Sequence, residues 1–404
     1  MSGPLSGIRV IDLTTVAMGP LASQWLGDFG ADVIKVEPPE GDSTRQTGPS
    51  AEPGMAALFL SANRNKRSIV LDLKSEPGRA ALLTLIDGAD VFMHNIRPQK
   101  LAKLGLGPDV LQGRNRQLIY AGLHGFGEAG PYGGRPAYDD IIQGLSGCAD
   151  LMRRQSGEPK YFPAITADKT TGLIAAMAIL AALAGRASSG RGGVIEIPMF
   201  ECMAAFNLVE HLYGHQLDPP RAPMGYPRVL SRDRRPFKTL DGYICMMPYT
   251  DAHWRAFFHH AGADEYAADP RFGSMSMRTA HIDELYELAS SLILSRTSSE
   301  WLSACDRLGI PAAPILSLEA LLSDPHLCKV GFFAALHDPG VGAVRMPGVP
   351  VLFDGERPKV TMPPRLGEHS RDILLESGVD AEMVDRLLNC PDGTAPQTAS
   401  SLKQ

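Results

Sequence analysis

Ile8-Arg-Val-Ile-Asp-Leu13 is followed by Val16-Ala-Met-Gly-Pro20, by Leu21 to Phe29, and then by Ala31-Asp-Val-Ile-Lys-Val36. The first and last of these runs are short, apolar and β-branched, as buried strands are. Leu21 to Phe29 has a helical pattern, and Gly19-Pro20 marks the break before it. A strand, a helix and a second strand in about thirty residues is a βαβ unit, which requires a parallel pair. Working outward, Ser68 to Leu73 reads as a strand and Gly78 to Leu85 as a helix. Asp90 to His94 and Gln117 to Leu123 read as further strands. The alternation predicts a parallel sheet covered by helices.

The expected fold class is therefore α/β, with a large Rossmann-like parallel-sheet domain. The dinucleotide fingerprint is missing: Val16-Ala-Met-Gly-Pro20 stands where a GxGxxG turn would be. Val194 to Pro198 reads as a strand running into a helix, Met199 to His211. Residues 1–205 are taken as the first part of the large domain and the Pro- and Arg-rich residues 206–235 as a linker. Residues 236–325 are taken as a smaller α+β domain, with a strand at Gly242 to Met247 and helices near 252–261, 282–294 and 297–308. Residues 326–404 are read as a second linker and a return to the large domain. That return carries a strand at Val349 to Phe353 and a helix at Arg371 to Leu388. The tail from Gly393 is small and polar and is expected to fray.

The chain has 404 residues, 44% hydrophobic and 21% charged, with a net charge of -6. Its pI of about 6.0 and the lack of a basic run argue against a nucleic-acid partner. Six cysteines, none in a CxxC pair, predict no metal site and reduced thiols in a cytoplasm. The opening MSGPLSGIRVIDL does not read as a signal peptide. Gly172 to Gly185 is apolar but too short to span a bilayer, so no membrane partner is expected.

Asp168, in Pro163-Ala-Ile-Thr-Ala-Asp168-Lys-Thr-Thr-Gly172, precedes the apolar stretch Leu173 to Leu183. It has two readings. It could be an N-cap that accepts hydrogen bonds from free backbone N–H groups. It could instead be a nucleophile, kept ionised by the positive end of the helix. Arg64, Lys66, Arg67, Lys74, Arg97 and Lys103 form a local cluster of cations in an acidic chain. They are either a solvated face or a phosphate site. Asn95 and Arg97, at the end of a predicted strand, are the stronger ligand candidates.

Four segments carry a resemblance. They are Asp12-Leu-Thr-Thr-Val16-Ala-Met-Gly-Pro20 with Leu26 to Glu37; Asn63 to Lys74; His94-Asn95-Ile-Arg97-Pro98 with Leu104-Gly-Leu; and Gly125 to Gly147, leading to Asp168. Together they resemble the class III CoA-transferases of the CaiB/BaiF type, a family that includes carnitine CoA-transferases and α-methylacyl-CoA racemases. The likeness covers most of residues 5–205. It implies that Asp168 is the nucleophile and that Val16, Ala17 and Met18 line the pantetheine and thioester. It places Lys35, Leu71 to Lys74, Asn95 and Arg97 near the nucleotide, and counts Lys103 and Tyr138 among the CoA-binding positions. Coenzyme A would enter as a thioester substrate, with a carboxylic acid as second substrate and no permanently bound cofactor. The resemblance also implies a homodimer of interlocked rings.

Racemases of this family pair the aspartate with a histidine, and anchoring on Leu145-Ser-Gly147 places Tyr138 there. An ordinary tyrosine titrates near pH ~10, so it is a poor second base. His124 is an off-motif substitute. Transferase is therefore expected, racemase is the alternative, and a non-catalytic nucleotide-binding protein is a third reading. Many family transferases carry Gln where Ala17 stands, and a glycine-rich loop where this chain has Met224 to Pro236. Arg228, Arg232, Arg234 or Arg235 would then either hold a second carboxylate or remain a charged linker. Backbone N–H groups of Gly125 to Gly134 are the expected oxyanion donors.

Overall fold

A computed structural model describes residues 3–388. The predicted tail from Gly393 lies outside the described residues. The chain divides into two compact units. The larger comprises residues up to Ser146, Pro163–Ala204 and the chain from Cys328 on. The smaller comprises Gly147–Phe162 and Ala205–Leu327.

The large unit is built on six strands. They are β1 (Arg9–Leu13), β2 (Asp32–Glu37), β3 (Lys66–Val70), β4 (Val91–His94), β5 (Ile119–His124) and β6 (Gly193–Pro198). They form one sheet in the order β3-β2-β1-β4-β5-β6, and every pair is parallel. This is the doubly wound order, and its direction reverses between β1 and β4. Ile11, Ile34, Ile69 and Phe92 are fully buried, as a sheet covered on both faces requires. Four helices matter for the site: α1 (Met18–Asp28), α2 (Glu76–Asp87), α3 (Asp139–Leu145) and α4 (Thr166–Ser189). Leu82, Leu85 and Ile86 of α2 seal one face of the core.

α4 has 24 residues and is apolar enough to cross a membrane by length and composition. It packs along α1, burying Ala167, Thr171, Gly172, Ala175, Ala176 and Ile179. The predicted C-terminal return is present, since Ile373 and Leu374 join the same core as the strands.

Three local expectations are corrected. Val349 to Phe353 is not a strand: Phe353 makes an isolated bridge with Glu356, and Pro350 has no N–H for a ladder. The single helix at 371–388 is two, Ser370–Glu376 and Ala381–Leu388, parted near Gly378 with φ 83°. The second linker contains an antiparallel hairpin, β10 (Phe333–Asp338) with β11 (Gly342–Pro347). Asp338 folds its carboxylate onto the N–H groups of Gly340 and Val341 to make that turn.

The small unit has a three-stranded antiparallel sheet of β7 (Phe237–Lys238), β8 (Tyr243–Met246) and β9 (Ala312–Pro314). Helices Asp251–Ala261, Ile282–Ile293 and Ser298–Leu308 enclose a core of Trp254, Phe257, Phe258, Leu285 and Trp301. Thr297 and Glu300 form a capping box on the last of these. The stretch read as the first linker belongs to this unit and is not free chain. Asn207 donates to Cys148 Sγ at 3.2 Å, and Gly225 and Tyr226 donate backbone N–H groups to His211.

Candidate active site

Leu13 pairs with His94, so the chain leaves β1 and β4 side by side at the point where the sheet reverses. The two exits are tied together. Asn95 Nδ2 donates to the Thr15 carbonyl at 2.8 Å, and Thr15 N–H donates to Asn95 Oδ1 at 3.1 Å. Asp12 accepts from the N–H and hydroxyl of Thr14 and from Ser23. Val16 has φ 72°, a left-handed conformation rare for a β-branched residue. Its N–H donates to Asp42 Oδ1 at 3.3 Å. α1 begins two residues later, with Ala17 as an N-cap that supplies no side-chain bond.

Asp168 stands in the first turn of α4, as the third helical residue. The cap reading is therefore excluded. The N-cap is Ile165, and the Asp168 carboxylate has no hydrogen-bond partner among the described residues. The cap-like bond runs the other way: Asp168 N–H donates to Asp139 Oδ1 at 3.0 Å. Asp139 begins α3 and is itself held by Gln143, whose amide donates to Asp139 Oδ2 at 2.6 Å and to the Ala164 carbonyl at 3.1 Å. This clamp anchors the start of α4 to α3.

Burial, with the Asp139 carboxylate adding to it, pushes the Asp168 pKa up to about 6. Burial and the like charge of Asp139 thus outweigh the helix dipole in setting this group's pKa. The carboxylate is still mostly ionised at neutral pH, and it is poorly solvated. Both suit a nucleophile.

α4 meets α1 one turn beyond Asp168. A Cβ on Gly172 would lie 2.8 Å from the Met18 carbonyl oxygen. Only a residue without a side chain lets the two backbones approach so closely. Met18, the last residue of the Val16–Met18 run, is thus brought to the helix turn next to Asp168's. Ala17 and Met18 are 6% and 5% exposed.

The cations sort into two groups. Arg64 grips Asp28 with two nitrogens and the Pro347 carbonyl with a third. Lys66 is fully enclosed by Asp12, the Pro20 carbonyl and Asn63. Burial pulls its pKa down to about 8. Arg67 pairs with Asp32 and Glu376. These three fix the fold and offer no charge to a phosphate. Lys74, Arg97 and Lys103 are exposed, as is Lys100, and none has an ion pair among the described residues.

Lys35 is corrected as a direct nucleotide contact. It is 0% exposed, and its ammonium donates to the Thr14 carbonyl at 2.8 Å and to Asp42 Oδ2 at 2.9 Å. The Leu71 side chain lies in the core at 3% exposure. Tyr138 is 70% exposed and directly precedes Asp139 at the start of α3.

Two further expectations change. The loop Gly125 to Gly134 is a poor oxyanion site, because its N–H groups are largely occupied. Gly127 donates to Glu201, Glu128 to Glu196 and Gly134 to Glu128, while Gly130 and Gly133 make turn bonds. His124 is half-buried, and burial lowers its pKa despite Glu128 and Glu196. Its neighbour His94 is fully buried and held neutral by that burial, with a pKa of about 3.

A cavity of about 930 Å³ in the large unit lies elsewhere. Asp32, Lys66 and Arg67 line it at the amino-terminal ends of β2 and β3, where the sheet's ligand crevice is not expected. In the small unit, the Arg228 guanidinium lies over the Tyr249 ring and near Met247 Sδ. Arg232, Arg234 and Arg235 are exposed.

Asp168, its carboxylate unpartnered among the described residues, thus stands one helical turn from the contact of α4 with α1, the helix that follows β1 where the sheet order reverses. Residues 5–370 match the model of CoA-transferase family III, and the chain belongs to that family. It is 36% identical over 389 residues to the succinate–glutarate CoA-transferase of Agrobacterium fabrum, covering 92% of this chain and 95% of the relative. It is 32% identical over 378 residues to the succinyl-CoA:glutarate CoA-transferase of Mus musculus, covering 92% and 86%. A crystal structure of a CaiB/BaiF family protein from Brucella suis superposes with a TM-score of 0.77 at 33% identity, covering 93% of this chain and all of the other.

Proposed function

We propose that this enzyme moves CoA from an acyl-CoA to a carboxylic acid through an aspartyl-CoA thioester on Asp168. The observation that carries the proposal is the unpartnered, half-buried Asp168 carboxylate, one helical turn from the Gly172–Met18 contact.

Asp168 attacks the thioester carbonyl, forming a mixed anhydride and releasing CoA thiolate. The thiolate attacks the aspartyl carbonyl, which yields the aspartyl-CoA thioester and frees the donor acid. The acceptor carboxylate then attacks that thioester, and the thiolate takes the acceptor's acyl group. Every attacking group is an anion at neutral pH, so no general base is needed. Lys74, Arg97, Lys100 and Lys103 are the exposed cations suited to the phosphates of CoA, with Asn95 fixing the loop between them and Asp168. Relatives named for succinyl-CoA and dicarboxylic acids support a dicarboxyl-CoA donor. The enzyme is proposed to act as a homodimer in the cytoplasm. The exposed apolar residues Ile165, at the N-cap of α4, and Leu173 and Met177, four apart within it, support a second copy. Racemisation is the weaker reading, because exposed Tyr138 stands at the position of the racemase histidine.

Incubation with succinyl-CoA and then hydroxylamine tests the function. A transferase yields a hydroxamate at Asp168 in the peptide mass. A racemase washes deuterium into the α-position and leaves no adduct, and a binder does neither.

Asp139 gives a second expected outcome. Asp168 must be ionised to attack, so kcat/KM for the donor should fall about tenfold per pH unit below about pH 6. Asp139→Asn removes the like charge, lowers the Asp168 pKa toward 3.8 and should move this acid limb to lower pH. An unmoved limb in the variant would show that Asp139 does not set it.

A further inference from the structure

The loop Thr14 to Met18 is held by three side chains: Asn95 just after β4, Lys35 within β2, and Asp42 in the loop that follows β2. Asn95 holds both backbone groups of Thr15. Lys35 holds the Thr14 carbonyl and, through the same ammonium, the Asp42 carboxylate. Asp42 in turn holds the Val16 N–H, and its position is fixed by the N–H and hydroxyl of Thr44. Lys35 and Asp42 are buried to 0% and 1% exposure. A buried ion pair contributes little to stability compared with apolar residues of the same shape. An apolar residue at 35 would fill the space but could not grip the Thr14 carbonyl or orient Asp42.

What the pair does hold is Val16 at φ 72°. Released, a β-branched residue relaxes to negative φ, and the loop leading into Ala17 and Met18 swings with it. Met18 is the residue against which Gly172 of the nucleophile's helix rests.

We propose that Lys35 is a positioning residue: with Asp42 it locks Val16 in its left-handed conformation and so sets the loop Val16–Met18 for the acyl-CoA thioester. The proposal rests on the transferase reading for the identity of the ligand. Lys35 touches no substrate and acts only through the loop.

The clamp predicts a specific coupling. Glycine adopts positive φ without strain, so Val16→Gly should lessen the loop's need for the clamp. Succinyl-CoA is titrated by calorimetry into full-length Asp168→Ala protein, which cannot turn it over. Lys35→Met should weaken binding about tenfold or more when Val16 is present, and about threefold or less when Val16→Gly is also made. Equal losses in the two backgrounds, or a loss below about twofold with Val16 present, would overturn the clamp. Should Lys35→Met fail to fold, Lys35→Met with Asp42→Asn removes both buried charges and keeps an oxygen for Val16. The same dependence on the Val16 background is then required. Hydroxylamine trapping on the wild type is scored separately. Its failure would remove the transfer chemistry and leave this binding comparison to stand or fall alone.

Discussion

Asp168→Ala is expected to lower the rate of CoA exchange about a thousandfold or more, with acyl-CoA affinity within about threefold of wild type. The carboxylate is the only proposed covalent group, and the cations proposed for the CoA phosphates lie on other segments. Initial rates with succinyl-CoA and glutarate, beside a CoA titration, measure both quantities. Asp168→Asn should be equally inactive and also more stable. The acid's pKa is about 6 in the folded protein against 3.8 as the ordinary value. An acid whose pKa rises on folding destabilises the fold once it ionises. Stability therefore falls as pH climbs from near 3.8 to about 6, and the penalty is complete above that. The penalty is on the order of 2 kcal/mol after allowance for solvent screening. The asparagine variant should thus melt above wild type at neutral pH and level with it below 3.8. A lower Tm at neutral pH would mean that the carboxylate is stabilised by a partner.

Gly172→Val should be the most damaging change outside the reacting atoms. The Gly172 Cβ position lies 2.8 Å from the Met18 carbonyl oxygen and 3.5 Å from Leu21 Cβ. The nearer neighbour is backbone, so the side chain cannot be accommodated by a rotamer change. α4 must move from α1 by a good fraction of an ångström. Such overpacking costs about 3 kcal/mol. A misplacement of that size between nucleophile and substrate loop lowers kcat/KM about a hundredfold. Thermal melting and kcat/KM together check the prediction. A variant with normal Tm and normal rates would show that the α1–α4 approach does not set the site.

The parallel sheet was legible because its strands are short runs rich in Val and Ile with helical runs between them. Hidden from that reading were elements whose signal lay in single turn residues. The β10–β11 hairpin depends on Asp338 folding onto Gly340 and Val341, and Gly378 parts a helical pattern that otherwise continues. Pro350 disqualifies a run that is otherwise strand-like. At the candidate site, Asp168 and the loop Val16 to Met18 are proposed from their motifs. The partition of the cations could not, since Arg64, Lys66 and Lys35 acquire their carboxylate partners only in three dimensions. The role of Asp139 was equally hidden. It stood in a recognised motif, but its bond to the Asp168 N–H spans 29 residues. Gly172 carried a signal that was available: a glycine in the interior of an apolar helix usually has a packing reason.

Turnover with an acceptor acid carrying heavy oxygen in both carboxylate positions tests the covalent route most directly. Each cycle through the aspartyl-CoA thioester leaves one acceptor oxygen in the side chain of Asp168. The peptide containing Asp168 should therefore gain heavy oxygen after turnover, and only when both substrates are present. A peptide of unchanged mass after many turnovers would mean that CoA passes between acids without ever being bound to Asp168.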